Sequence, residues 1–308
     1  MKLKSLFLLL CASTNVMAQY YAPSYSSLQQ YKCPDWIKEA KFGIYCHWNA
    51  QSASKSENNG WYAREMYIEG SAAYNDHLRN WGHPSEVGYK DVVEAWNADK
   101  FDAKEWVSLF KEAGAKFVLT MAVHHDNFDM WDSKYQPKWY STHDGPKVAV
   151  CKMIRDETLN AGMRWGVTTH LERSYSWFQT NKGADKTGVK AGIPYDGNML
   201  EYQDLYHEYP NFADLGPDFC QLRSPMVSPQ SWKEMWKNRS IDLISRYHPD
   251  FFYIDGALPY TDDGGKVGME VESFFLNHNA EQHGGVCEGF FGIKDIKHHG
   301  VFYPGAAS

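Results

Sequence analysis

Asp255 is the sharpest candidate for chemistry in this chain of 308 residues. It follows the apolar run Phe251-Phe252-Tyr253-Ile254 and precedes Gly256, so a strand would carry its carboxylate to the tip while the glycine lets a ligand approach the backbone. The spacing leaves a second reading open, an Asp that caps the next helix. His124-His125 ends another apolar run, Val118 to Val123. Adjacent strand residues face opposite ways, so both imidazoles reach one site only if the strand ends there; otherwise one is packed support. Neutral imidazoles both donate and accept, which suits a polyhydroxylated ring better than a phosphate. A metal reading would add His47, Asp126 or His170 as ligands, but no HExxH or similar spacing supports it, and metal ranks below hydrogen bonding. Three more strand-like runs end in titratable residues: one at His47, one at His170 with Glu172 two residues on, and Gly285-Val286-Cys287 at Glu288. The pair His298-His299 reads as solvated surface.

A repeated unit would position these residues. Asp102 caps a helix with Glu105 at the capping-box position, Trp106, Val107 and Phe110 recur at helical spacing, Gly114 stops it, and a strand follows from Phe117 to Val123. The unit returns as Val150 to Ala161, Gly162 and the run Met163 to Thr169. It returns again from Ser228-Pro229 through Trp232, Met235, Trp236, Ile241 and Ile244 to His248-Pro249 and the strand before Asp255. Alternating helix and short apolar strand predicts a parallel sheet. Titratable residues at the carboxyl ends of successive strands predict an α/β fold of the (β/α)8 TIM-barrel type. A doubly wound sheet is the alternative, but it wants a glycine-rich phosphate loop after the first strand, where Trp48-Asn49-Ala50-Gln51 stands. Thr180 to Ser228 is expected to be one long loop that shapes the site.

Composition narrows the partners. With 31 Lys+Arg against 38 Asp+Glu the formal charge is −7, and a chain without a basic run lacks what phosphate binding needs, so nucleic acid and anionic membranes are disfavoured. Aromatic residues make up 16% of the chain, a supply of flat rings with polar handles that suits sugars, although large cores use them too. Lys2 and Lys4 precede the apolar run Leu6 to Ala12, and Val16-Met17-Ala18 offers small residues for cleavage, so residues 1–18 are expected to be a signal peptide and the mature chain to begin at Gln19, periplasmic or secreted. Bulky Leu10 disfavours a lipoprotein box at Cys11, and no other stretch approaches the ~18 apolar residues of a membrane span. Cys33, Cys46, Cys151, Cys220 and Cys287 lack CxxC spacing and read as thiols within a core.

Four ordered motifs carry a resemblance. Lys41 to Trp48, Trp61 to Tyr67, His124 to Phe128 with Trp131 to Tyr135, and Tyr247 to Gly256 resemble the signatures of the α-L-fucosidases of glycoside hydrolase family 29, over about Trp36 to about Asp295. The resemblance implies a retaining exo-glycosidase on a (β/α)8-like barrel, with Asp255 as nucleophile. It also implies that His47, His124 and His125 bind fucose hydroxyls, that Trp61 lines their pocket, and that Tyr253 fills an aromatic position two before the nucleophile. Retention needs a second carboxyl ~5–5.5 Å away to protonate the leaving oxygen and then activate water. Glu288 is chosen for that role over Glu270, Glu272 and Glu281; its alternative is a strand-end Glu that lines the pocket or caps a helix.

Two positions depart from the family pattern. Gly60 stands where a sugar-binding Glu is usual, and Thr168 where Tyr is usual, so His170 or Glu172 is expected to substitute, and the consequence is a substituted fucose, a related sugar such as galactose, or a pocket that has lost its selection. The leading expectation is an exported fucosidase acting on terminal α-L-fucosyl residues of glycans without a cofactor. A carbohydrate-binding remnant and a histidine-metal hydrolase compete with it. Only five strand-like runs are legible and 20 residues follow Glu288. Since a βα unit takes ~30 residues, the catalytic barrel, residues 19–308, is expected to be incomplete at its C-terminal side, with an open sheet edge and weak activity.

Overall fold

The structure, a computed structural model, describes residues 20–57, 60–207, 228–255 and 264–293. Residues 1–18, where a signal peptide is expected, lie outside them, as do Gly256, Cys220 and His298-His299. Five strands, β1 (Ile44–Cys46), β2 (Phe117–Val123), β3 (Arg164–Thr169), β4 (Phe251–Ile254) and β5 (Phe290–Ile293), form one sheet in the order β1-β2-β3-β4-β5 with every pair parallel. Each strand lies beside its predecessor, as in a singly wound barrel; a doubly wound sheet would reverse direction partway. Between β1 and β2 the chain forms α1 (Ala72–Asn80), α2 (Tyr89–Ala95) and α3 (Ala103–Glu112). The later crossovers are α4 (Val150–Asn160), α5 (Gln230–Tyr247) and α6 (Lys266–Gln282).

The helix punctuation follows local chemistry. Asp102 caps α3 by accepting from the Glu105 backbone N–H at 3.0 Å, and α5 ends where His248 turns left-handed at φ +47°. Gly114 and Gly162 adopt φ +94° and +72° after α3 and α4, values that cost glycine little and other residues more.

Strand residues alternate between two cores, as period-2 geometry requires. Val118, Trp165, Val167, Phe252, Ile254 and Phe291 join the large outer core with the helices, while Leu119, Phe251 and Phe290 form a second, inner cluster. Burial on both faces is what a parallel sheet covered on each side requires. Glycines leave room for the inner rings: a Cβ on Gly43 would lie 2.3 Å from the Phe117 ring, and one on Gly166 2.5 Å from Phe251 Cβ. Trp36 and Ile37, from the short helix Asp35–Ala40, close the inner cluster at the amino ends of the strands. There Arg164 stacks over Trp36 at 5.3 Å and pairs with Asp250 and Glu288, each at 2.7 Å.

The expected strand Gly285-Val286-Cys287 does not form; β5 begins at Phe290, after Glu288. The described part of the expected long loop, residues 180–207, is more regular than expected, being built of short helical turns including Asp196–Asn198, Leu200–Tyr202 and Gln203–Tyr206. Among the described residues four cysteines are free, Cys151 buried and Cys33, Cys46 and Cys287 partly exposed.

Candidate active site

A bulge brings both adjacent histidines to one place. Met121 pairs with Thr168 but Val123 pairs with Thr169, so β2 carries one extra residue against β3. A bulge re-aims the side chains that follow it. The strand then ends at Val123, and the chain turns through Asn127 at φ +62°. Ring centroids of His124 and His125 are 4.6 Å apart, and those of His170 lie 4.7 and 5.1 Å from them. His47 follows β1 and closes the group at 4.9 Å from His124 and 5.1 Å from His170.

Hydrogen-bond partners assign the tautomers. Gln51 accepts from the Ala63 N–H through its carbonyl, so its amide N–H2 faces His124 Nδ1 at 3.0 Å and donates to it. A neutral His124 then carries its proton on Nε2. His125 Nδ1 lies 2.7 Å from the His170 carbonyl and must donate, which leaves Nε2 as an acceptor. Burial, reinforced by neighbouring histidines, holds both pKa values well below 6.5, so both rings are neutral. One donor and one acceptor, side by side, match a hydroxyl, which does both. The ring nitrogens of His124, His125 and His170 lie within 4.8 Å of one another, a spacing open to a metal ion. Three unprotonated nitrogens would be needed for one, and the protonated His124 Nε2 does not fit that donor set. Asp126, the further ligand considered, is buried and engaged by Tyr89 OH at 2.5 Å and Asn49 Nδ2 at 2.8 Å.

Asp255 follows β4 directly, its backbone N–H reaching the Thr169 carbonyl at 3.3 Å. Its carboxylate stands 3.5 Å from His170 Nδ1, and His170 Nε2 is 2.9 Å from Tyr45 OH. The arrangement is consistent when Nδ1–H donates to Asp255 and Tyr45 donates to Nε2. Tyr253 shares the face of Asp255, and burial together with the Asp255 charge pushes its hydroxyl up to about 12. Trp61, 40% exposed, meets Trp177 edge to face at 6.4 Å, and Trp177 reaches His124 and His125 at 5.6 and 5.0 Å. Gly60 beside Trp61 is not imposed by crowding, because a Cβ there would meet nothing within 4 Å.

Seven of the eight expected residues therefore gather at the carboxyl ends of β1 to β4 or, for Trp61, reach that cluster through Trp177. Glu288 does not. It precedes β5 and pairs with Arg164 at the start of β3, and the Phe251–Phe290 register puts it about six residues from the level of Asp255. At ~3.3 Å per residue that is ~20 Å, against the ~5–5.5 Å of a retaining carboxyl pair. The Arg164 guanidinium also lowers the Glu288 pKa, the wrong direction for an acid. Gln51, Tyr45 and Trp177 escaped the sequence reading. Tyr45 alone carried a signal there, standing two residues before His47 on the same strand face.

Sequential parallel strands with titratable side chains gathered at their carboxyl ends define the class of (β/α)8-type catalytic barrels. The sequence model described as alpha-L-fucosidase matches residues 8–294, and the chain belongs to that family. It is 27% identical to an α-L-fucosidase of Dictyostelium discoideum over 252 residues, covering 78% of this chain and 54% of that protein. With the tissue α-L-fucosidase of Rattus norvegicus it shares 28% over 260 residues, 83% of this chain and 47% of that one. The chain thus spans about half the length of the curated relatives it matches. The structure of Thermotoga maritima α-fucosidase with a mechanism-based inhibitor shares the fold at a TM-score of 0.67 and 21% identity, covering 92% of this chain and 57% of that one. The complex with fucose gives 0.63 at 22% identity, covering 92% and 58%.

Proposed function

We propose that the chain is the catalytic barrel of an exported, retaining α-L-fucosidase that removes terminal fucosyl residues from glycans, with Asp255 as nucleophile. The observation that carries this reading is the placement of Asp255 at the carboxyl end of β4, 3.5 Å from His170 and beside a cluster of neutral histidines. His47, His124 and His125 take the sugar hydroxyls, Trp61 and Trp177 form an aromatic wall, and Tyr253 supports the nucleophile. Asp255 attacks the anomeric carbon, the bond to the leaving oxygen breaks, and a glycosyl ester forms that water later opens. The proton for the leaving oxygen comes from a second carboxyl, a role that Glu288 does not fill. Export rests on the basic and apolar character of residues 1–18.

The test is incubation with 2-deoxy-2-fluoro-α-L-fucosyl fluoride followed by peptide mass spectrometry. A fucosyl adduct on the peptide bearing Asp255, lost in Asp255→Asn together with hydrolysis of an aryl α-L-fucoside, supports the reading. Undiminished turnover in Asp255→Asn sinks it. The misplaced Glu288 favours a second reading, a fucose-binding barrel without hydrolysis, which the same aryl fucoside distinguishes.

A further inference from the structure

Glu172 is the one acidic side chain of the turn that follows β3, two residues beyond His170. It is 1% exposed, and neither carboxylate oxygen has a hydrogen-bond partner on another described residue. Its charge is felt by Tyr45 and Tyr253, and the charge of Asp255 is felt by it in turn, three groups from β1 and the end of β4 that frame the histidine cluster. A buried carboxyl two residues beyond His170, within electrostatic reach of those groups, belongs to the same end of the sheet as the histidine cluster. Burying a polar group without a partner costs stability, and native structures rarely keep one without a use.

We propose that Glu172 is a specificity-determining group of the pocket, whose carboxyl pairs with a hydroxyl of the bound sugar. Burial, with the charge of Asp255 adding, raises its pKa to about 8 against a weaker pull from Arg173, so at neutral pH it is largely a carboxylic acid. In that form it offers one donor and one acceptor, the complement of an alcohol. A phosphate or carboxylate ligand would meet repulsion from Asp255 instead, so the occupant is a neutral polyol ring. A sugar lacking the matched hydroxyl leaves the carboxyl unpaired, the situation in which binding sites discriminate most strongly. The inference rests on the fucosidase reading and names a contact within that site.

The experiment measures L-fucose binding by calorimetry for wild type, Glu172→Leu and Glu172→Gln, repeats it with mono-deoxy L-fucoses, and records ligand-free melting. Glu172→Leu is expected to melt higher than wild type, because an unpaired buried carboxyl is gone, yet to bind fucose about tenfold or more weakly. One deoxy sugar, bound poorly by wild type, is expected to bind this variant as well as fucose does. A structural Glu172 predicts the reverse, a lower melting point with unchanged discrimination among the deoxy sugars, and that result overturns the proposal. Should Glu172→Leu fail to fold, the near-isosteric Glu172→Gln decides through the same deoxy series. Wild type that binds fucose alongside variants that bind it equally well overturns this proposal alone. Wild type that binds no fucose overturns the fucosidase reading and the proposal with it.

Discussion

At the scale of single residues, the site is a set of assigned donors and acceptors rather than a collection of reactive groups. His125 is held by its Nδ1–H on the His170 carbonyl and presents Nε2 as an acceptor. His125→Ala and His47→Ala should each weaken fucose by ~1–3 kcal/mol, the range for a hydrogen bond lost in a buried polar site. Equal affinity in both variants would make these histidines structural. Glu288→Gln is the contrasting case. Its partner Arg164 is 33% exposed and Glu288 42%, so the pair is worth no more than about 1 kcal/mol. Turnover should stay within about twofold of wild type, measured on the same aryl fucoside; abolished turnover would return Glu288 to the chemistry. The sequence presented Asp255 and Glu288 alike, each next to an apolar run and a glycine. Only the order differs: Asp255 follows its strand, whereas Glu288 precedes one, and that puts them at opposite ends of the sheet.

At the scale of elements, the helices were legible because their ends are local chemistry. The Asp102 cap, the positive φ of Gly114 and Gly162 and the left-handed His248 need no knowledge of the fold. The strand Phe290–Ile293 was not legible, because Gly292 interrupts its apolar pattern while Gly285-Val286-Cys287 imitates a strand. The β2 bulge was invisible too, since it exists only as a register against β3. One element contact yields a pH prediction. In α1, His77 accepts from Tyr62 OH at 2.5 Å through Nδ1 and donates from Nε2 to the Val87 carbonyl at 2.7 Å, joining three segments between β1 and β2. Burial depresses its pKa from 6.5 to about 4. The unfolded chain therefore binds a proton that the folded chain refuses between those values. Stability from this group is full above about pH 6.5 and lost as pH falls toward 4, about 3 kcal/mol in all. His77→Gln has no such group, so the gap between its stability and that of wild type should narrow from pH 7 to pH 4.5 in denaturant titrations. A gap constant with pH would show that His77 does not titrate in this way.

At the scale of the whole molecule, two buried aspartates lash the long segment after β3 to the helices before β2. Asp185 accepts from Tyr74 OH at 2.5 Å, Tyr195 OH at 2.6 Å and His83 Nε2 at 2.9 Å. Asp196 accepts from Tyr67 OH at 2.8 Å and Tyr206 OH at 2.6 Å, while burial raises its pKa to about 6. These ties explain why the described part of a segment expected to be irregular is built of regular turns, since each carboxylate satisfies hydroxyls from both sides of the seam. The same seam holds Trp177, because Arg64, from the turn Tyr62–Glu65, donates to the Trp177 carbonyl. Gly88 fits this arrangement through its lack of a side chain: a Cβ there would sit 1.8 Å from Asp196 Oδ2. Gly88→Ala should therefore displace the Asp196 carboxylate and leave the two tyrosine hydroxyls short of an acceptor. Asp196→Ala removes the acceptor directly and should destabilise by ~2–4 kcal/mol, two buried donors each losing a partner at ~1–2 kcal/mol. Because both variants act on the same contact, their effects should fall well short of additive in the double variant. Equilibrium unfolding of the two single variants and the double variant measures this, and fully additive losses would mean that Gly88 and Asp196 stabilise the molecule independently.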